Sequence, residues 1–251
     1  MLWLHLVSCK GVDPAPEDID GLLHWLWASF DAAPDEEIVD GLANVITAVG
    51  PLEDVADGSV SSLDDAEAAI VGRTGVATDL AVGVFLQGPI ACQLEAFEDV
   101  VEFKEQDELY DVYNSYERTY ESNLAQWQNG KETTLDWAVE FSATVLSISY
   151  DAHLRGGLRR ISEESGGPAL LARTWMHEPA DFNGNQTWTQ DYQIEIFWPQ
   201  PGGDLGHLYG LWRDVDYGTL SMQDEDLQRL MLNGLADWDK DTTKLCEENR
   251  P

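Results

Sequence analysis

The chain has 251 residues, 43% of them hydrophobic and 10% aromatic, and carries a formal charge of −33 at pH 7. That apolar content is enough for an ordinary core, so the charge does not mark a disordered chain, and the length suits one large or two small domains. Such an acidic surface repels nucleic-acid phosphates and anionic lipid headgroups, which argues against binding to either.

In chain order, residues 1–7 are apolar with no basic residue before them and Lys10 after them, so they predict a first strand rather than a secretion signal. Ile19, Leu22, Leu23, Leu26 and Phe30 repeat at helical spacing, and Ile38, Leu42, Val45, Ile46 and Val49 do so again up to Gly50-Pro51, predicting a helical hairpin. Ser62 with Asp65 has the form of a capping box for a short helix through Ile70. Residues 76–86 fit a buried strand or a packed helix equally well, and the nearly apolar stretch 80–92 falls short of the roughly 20 residues a membrane span needs.

Leu94, Phe97, Val101, Leu109, Tyr113, Tyr116, Tyr120, Leu124 and Trp127 fall mostly three or four apart and predict one long helix, or two in line, before Asn129-Gly130. Thr133 with Asp136 repeats the cap pattern ahead of Leu135, Val139 and Leu146, in a segment that turns β-branched near 145–150. Gly156-Gly157 and Gly166-Gly167-Pro168 then punctuate the chain and place a boundary near 165. Beyond it, Trp188, Tyr192, Ile194, Ile196 and Trp198 lie on one parity and Thr187, Thr189, Asp191, Gln193 and Glu195 on the other, the period of a strand with one wet face. Turns at Asn183-Gly184 and 199–203 join it to strands over 170–177 and 207–217, and Ser221 caps a last helix with Leu227, Leu230, Met231, Leu235 and Trp238 as its apolar stripe. The expected fold is therefore α+β, a mainly helical region over 1–165 and an antiparallel meander closed by a long helix over 166–251.

No motif specifies a chemistry. Cys9, Cys92 and Cys246 are an odd number at long spacings, which fits neither a disulfide framework nor a zinc site and suggests buried thiols in a reducing compartment. Asp151 and His153 share a face if they lie on a strand, and His177, Glu178 and His207 stand near predicted strand ends, where a sheet could join them as acid and base. These five are the only catalytic candidates, and no spacing supplies a metal site or calls for a cofactor. Arg155, Arg159 and Arg160 form the one basic cluster, beside Gly156-Gly157; such a cluster holds an anion or, more commonly in an acidic chain, pairs with carboxylates or a partner subunit. The aromatic residues of the meander, Trp188, Trp198, Tyr209 and Trp212 among them, suit an interface, a ligand cavity or a core.

The acid excess is spread along the chain, at 14 in residues 1–84, 10 in 85–150 and 9 in 151–251, and Asp outnumbers Glu by 26 to 21. This composition is similar to that of proteins from salt-in halophiles, where molar salt screens the repulsion. The primary expectation is a non-enzymatic structural or assembly protein of a halophilic archaeal cell or its virus, cytoplasmic or virion-associated, acting through protein subunit contacts. A second is an acidic decoy or immunity-type inhibitor of a basic partner, with Glu95, Glu98, Asp99, Glu102, Glu105 and Glu108 as a stripe on the long helix. The third rests on element order: a β-meander followed by a long terminal helix resembles helix-grip, START-like ligand-binding domains over the last third of the chain. That resemblance implies a hydrolase or a small-ligand-binding protein.

Overall fold

The computed structural model describes residues 13–50, 52, 55–162, 168–182, 184–218 and 222–248. Along the chain run α1 (Ile19–Ser29), α2 (Asp35–Val49), β1 (Ala56–Val60), α3 (Asp65–Ile70), β2 (Val82–Ile90), α4 (Leu94–Glu102), β3 (Tyr113–Tyr120) and α5 (Leu124–Gln128). There follow β4 (Thr134–Val145), β5 (Ile148–Ile161), β6 (Ala169–Met176), β7 (Asp181–Phe182), β8 (Thr187–Pro199), β9 (Leu205–Asp216) and α6 (Asp224–Glu247). The strands form one antiparallel sheet in the order β1-β2-β9-β8-β6-β5-β4-β3, with the short β7 paired to β5.

This corrects the expected fold class, because the first two-thirds of the chain is not helix-rich and supplies five of the nine strands. The long helix expected from Leu94 to Trp127 ends at Glu102, and Tyr113, Tyr116 and Tyr120 belong to β3. A register shift between Tyr113 and Ser115 explains the false period. The irregularity changes parity once, so Tyr113 and Tyr116, three apart, join the same cluster, and Tyr120 follows at an even step; a bulged strand thus imitates helical spacing. The helix expected near 135–146 is β4, in which Leu135, Trp137, Val139, Phe141 and Ala143 alternate strictly with Asp136, Ala138, Glu140 and Ser142.

The helical hairpin is present as α1 and α2, and the meander as β6, β8, β9 and α6. The short helix is also present, but its capping box is made by Asp64 and Glu67 rather than by Ser62 and Asp65. The opening strand, Cys9, Ser221, and the boundary glycines Gly166 and Gly167 lie outside the described residues. On either side of that boundary β5 and β6 pair directly, from Leu154 with Met176 to Ile161 with Ala169.

The sheet is buried on both faces. Against one face, Leu22, Leu26 and Trp27 of α1 and Ile38, Leu42 and Val45 of α2 pack on Leu171, Ile194, Ile196, Leu208 and Trp212. The other face meets α4 through Phe97 and α6 through Leu227, Met231 and Leu235. The C-terminal end of α6 is tied to the segment before α4 by a disulfide between Cys92 and Cys246, which replaces the two separate thiols expected from their spacing.

Candidate functional site

Alternation along the strands sends every second residue into a cavity of about 350 Å³ between the sheet and α6. Phe141 and Val139 of β4, Leu154 and Leu158 of β5, Phe197 of β8 and Leu211 of β9 supply much of the apolar wall, and Leu230, Met231, Leu235 and Trp238 of α6 close it. The parity of β8 that looked wet in the sequence is the one that faces this interior. Gln193 and Glu195 line the cavity, and Asp191 is fully buried. A register shift between Trp188 and Gln190 moves Trp188 to the cavity side, away from the parity of Ile194 and Trp198.

Polar groups on this face are organised as networks. Asp191 accepts from Arg213 Nε at 2.6 Å and from Gln193, whose other amide atom accepts from the Tyr209 hydroxyl at 2.6 Å. Burial works against the charged Arg213, but Asp191 beside it holds the guanidinium above its ordinary value, so Arg213 stays charged. The Arg213 guanidinium lies over the Trp188 ring, 4.6 Å from its centroid.

Toward the disulfide end, His207 of β9 is fully buried and hydrogen-bonds Asp239 of α6 through Nδ1 at 3.0 Å. Its Nε2 lies 3.3 Å from the Glu195 carboxylate, near enough for charge attraction but not aligned for a hydrogen bond. Burial opposes protonation of His207, and Asp239 and Glu195 outweigh it, pushing its pKa up to about 9. Glu195 is itself raised, by burial first, with His207 opposing.

At the opposite edge of the sheet Trp137 lies across the strand from Gly156, where a Cβ would meet the indole nitrogen at 2.7 Å. That glycine therefore serves close packing within the sheet. The ring so placed carries Arg118 of β3 on its face, 4.8 Å from guanidinium carbon to centroid.

The structure separates the residues singled out in the sequence. Trp188 and Tyr209 line the cavity, whereas Trp198 and Trp212 belong to the core under α1 and α2. Asp151 is exposed on β5 opposite Asp181, and His153 lies 3.9 Å from Glu140 and 3.8 Å from Glu178. His177 borders a groove with Arg73, Arg155 and Arg173, Glu178 stands beside His153, and His207 lies between Asp239 and Glu195, so each of the three has separate neighbours. The basic cluster is neutralised: Arg155 pairs with Glu121, Arg159 with Asp35, and Arg160 with both oxygens of Glu98 while stacking over Trp127 at 3.9 Å. Sequence reasoning passed over Arg118, Trp137, Phe141 and Arg213. The alternation through 135–143 was the signal that could have placed two of them on the inner face.

No protein family's sequence profile matches the chain, and no curated protein matches it. Among solved structures, human StAR-related lipid transfer protein 5 is similar at a TM-score of 0.52 and 8% identity, over 89% of this chain and 97% of that one. A START superfamily protein from Mycobacterium smegmatis gives 0.44 at 13% identity over 66% of this chain and 97% of its own. A STAR-related lipid transfer protein fragment from Xanthomonas axonopodis gives 0.46 at 10% over 80% and 97%. The first of these shows a shared fold: the likeness inferred for the last third of the sequence extends over most of the chain.

These findings correct the expectation of a halophilic structural or virion component. The aromatic residues meant for subunit contacts, Trp188, Trp198, Tyr209 and Trp212, are only 0–7% exposed, consumed by the two cores and the cavity. The acidic stripe of the decoy reading is broken as well, since α4 stops at Glu102 and Glu98 is held by Arg160. Among the described residues no helix is long and apolar enough to cross a membrane.

Proposed function

We propose that the protein binds an apolar small molecule in the cavity beneath α6 and shields it from water. The observation that carries this reading is the cavity itself, about 350 Å³ walled by aromatic and aliphatic side chains from six strands and two helices, beside cores filled by buried apolar side chains. Burying roughly 400 Å² of ligand apolar surface at about 25 cal/mol per Å² contributes about 10 kcal/mol, of which about 4 kcal/mol goes to immobilisation, leaving about 6 kcal/mol, or binding in the range of tens of micromolar. The shared fold with human StAR-related lipid transfer protein 5 agrees with this ligand class.

Dodecanol titrated into the protein is expected to change the emission of Trp137, Trp188 and Trp238, which line the cavity. Ala172→Trp, which fills the cavity floor, should abolish the change while circular dichroism stays native. An unaltered response in that variant would place binding elsewhere and sink the reading.

A further inference from the structure

We infer that the cavity selects an amphipathic anion, an apolar body ending in a carboxylate, and that Arg118 receives the carboxylate. The inference rests on the cavity-binding function proposed above and names the chemistry of its ligand. Its ground is a contrast among the arginines. Arg155, Arg159, Arg160, Arg173, Arg213 and Arg229 each reach a carboxylate. Arg73 sits at the outer groove and donates to the carbonyls of His177 and Thr189. Arg118 is 6% exposed, lines the cavity, and among the described residues has no carboxylate within ion-pair reach, in a chain with 47 acids and 14 bases.

The partners of Arg118 are neutral. Its Nε and Nη2 donate to the Tyr116 hydroxyl at 3.2 and 2.7 Å, Nη1 donates to the Val101 carbonyl, and the Tyr120 hydroxyl stands beside it. Stacking against Trp137 and Tyr116 orients the guanidinium plane without cancelling its charge. A buried cation without a counter-ion is costly to keep, and a guanidinium presents five N–H donors in a fork that fits a carboxylate. An incoming carboxylate would supply the missing charge and could accept from the two N–H groups that the three hydrogen bonds to Tyr116 and Val101 leave over.

The other charges on this face do not compete for that role. Arg213 is already neutralised by Asp191, and His207 lies between Asp239 and Glu195. Arg118 and Arg213 lie on β3 and β9, with β4, β5, β6 and β8 between them, so the polar terminus sits at one edge of the sheet and the apolar wall runs away from it.

The test compares dodecanoate, dodecanol and acetate by calorimetry on the wild-type protein, Arg118→Met and Arg118→Lys, each first checked for a native circular dichroism spectrum. Dodecanoate is expected to bind wild type about tenfold or more tightly than dodecanol, as a charge-assisted hydrogen bond provides, and acetate to bind far more weakly than either. In Arg118→Met the ratio of dodecanoate to dodecanol affinity should collapse toward one, and Arg118→Lys should restore part of it. Equal binding of dodecanoate and dodecanol by wild type would overturn the role of Arg118 while leaving the cavity function standing. So would a preference that survives in Arg118→Met, or acetate binding as tightly as dodecanoate. Binding of none of the three would overturn the cavity function itself.

Discussion

His207 makes the stability of this protein depend on pH in a direction that can be worked out. Its pKa rises from 6.5 in the unfolded chain to about 9 in the fold, which corresponds to about 3 kcal/mol of folding free energy at 1.36 kcal/mol per unit. Because the folded value is the higher one, that stability is fully present below pH 6.5 and is lost as pH climbs through 9. Glu195 acts with the same sign, since its raised pKa means that ionising it costs the folded state. Urea denaturation of the wild type at fixed ionic strength should therefore give about 3 kcal/mol less stability at pH 9.5 than at pH 6. His207→Gln removes the charge at every pH and leaves Asp239 and Glu195 without their cation, so it should be destabilised by about 3 kcal/mol or more at pH 6 and be nearly flat from there to pH 9.5. A wild type flat over that window, or a variant with the wild-type slope, would refute the reasoning.

Three further outcomes are expected. Replacing both Cys92 and Cys246 by Ala opens a cross-link spanning 154 residues and should cost about 2–4 kcal/mol in urea, with reductant having no added effect on the double variant. Gly41→Ala places a Cβ 2.3 Å from the Trp25 ring, so overpacking of about 1–3 kcal/mol should outweigh the gain in helix propensity and lower the melting temperature. Asp64→Ala removes the side-chain acceptor for the Ala66 and Glu67 amides at the start of α3 and should cost about 1 kcal/mol, read from the same melts.

The meander and its closing helix were legible because β8 keeps one period from Gln190 to Trp198 and α6 keeps one along its length. β3 was illegible for a local reason, the parity change at its bulge, and β4 because Leu135, Val139 and Leu146 stand four and seven apart, intervals that a helix face also gives. The candidate site was hidden differently. Polar residues at alternate positions of β8 read as solvent-facing, but they face an enclosed space where Asp191, Gln193 and Glu195 find partners on β9 and on β8 itself. A one-dimensional pattern reports that a face is polar; whether water or protein lies beyond it depends on elements distant in sequence. The pairing of Cys92 with Cys246 was hidden in the same way, since only the fold brings the ends of α4 and α6 together.

The ties along α6 are unequally distributed, and this sets where the molecule yields. Asp239 holds His207, Thr242 hydrogen-bonds the Tyr110 hydroxyl at 2.8 Å, and Cys246 is covalently joined to Cys92, all within the last three turns. The first half of the helix has no side-chain hydrogen bond or ion pair to the sheet among the described residues and rests on apolar contacts, those of Leu227, Leu230, Met231 and Leu235 among them. Apolar contacts give way gradually with displacement, whereas an ion pair or a covalent bond does not, so the helix behaves as a lever fixed at its far end. Amide protons in the first turns of α6 should accordingly exchange with solvent faster than those beyond Asp239, and entry of the proposed ligand should be paced by the swing of that free end rather than by dismantling of the clasp.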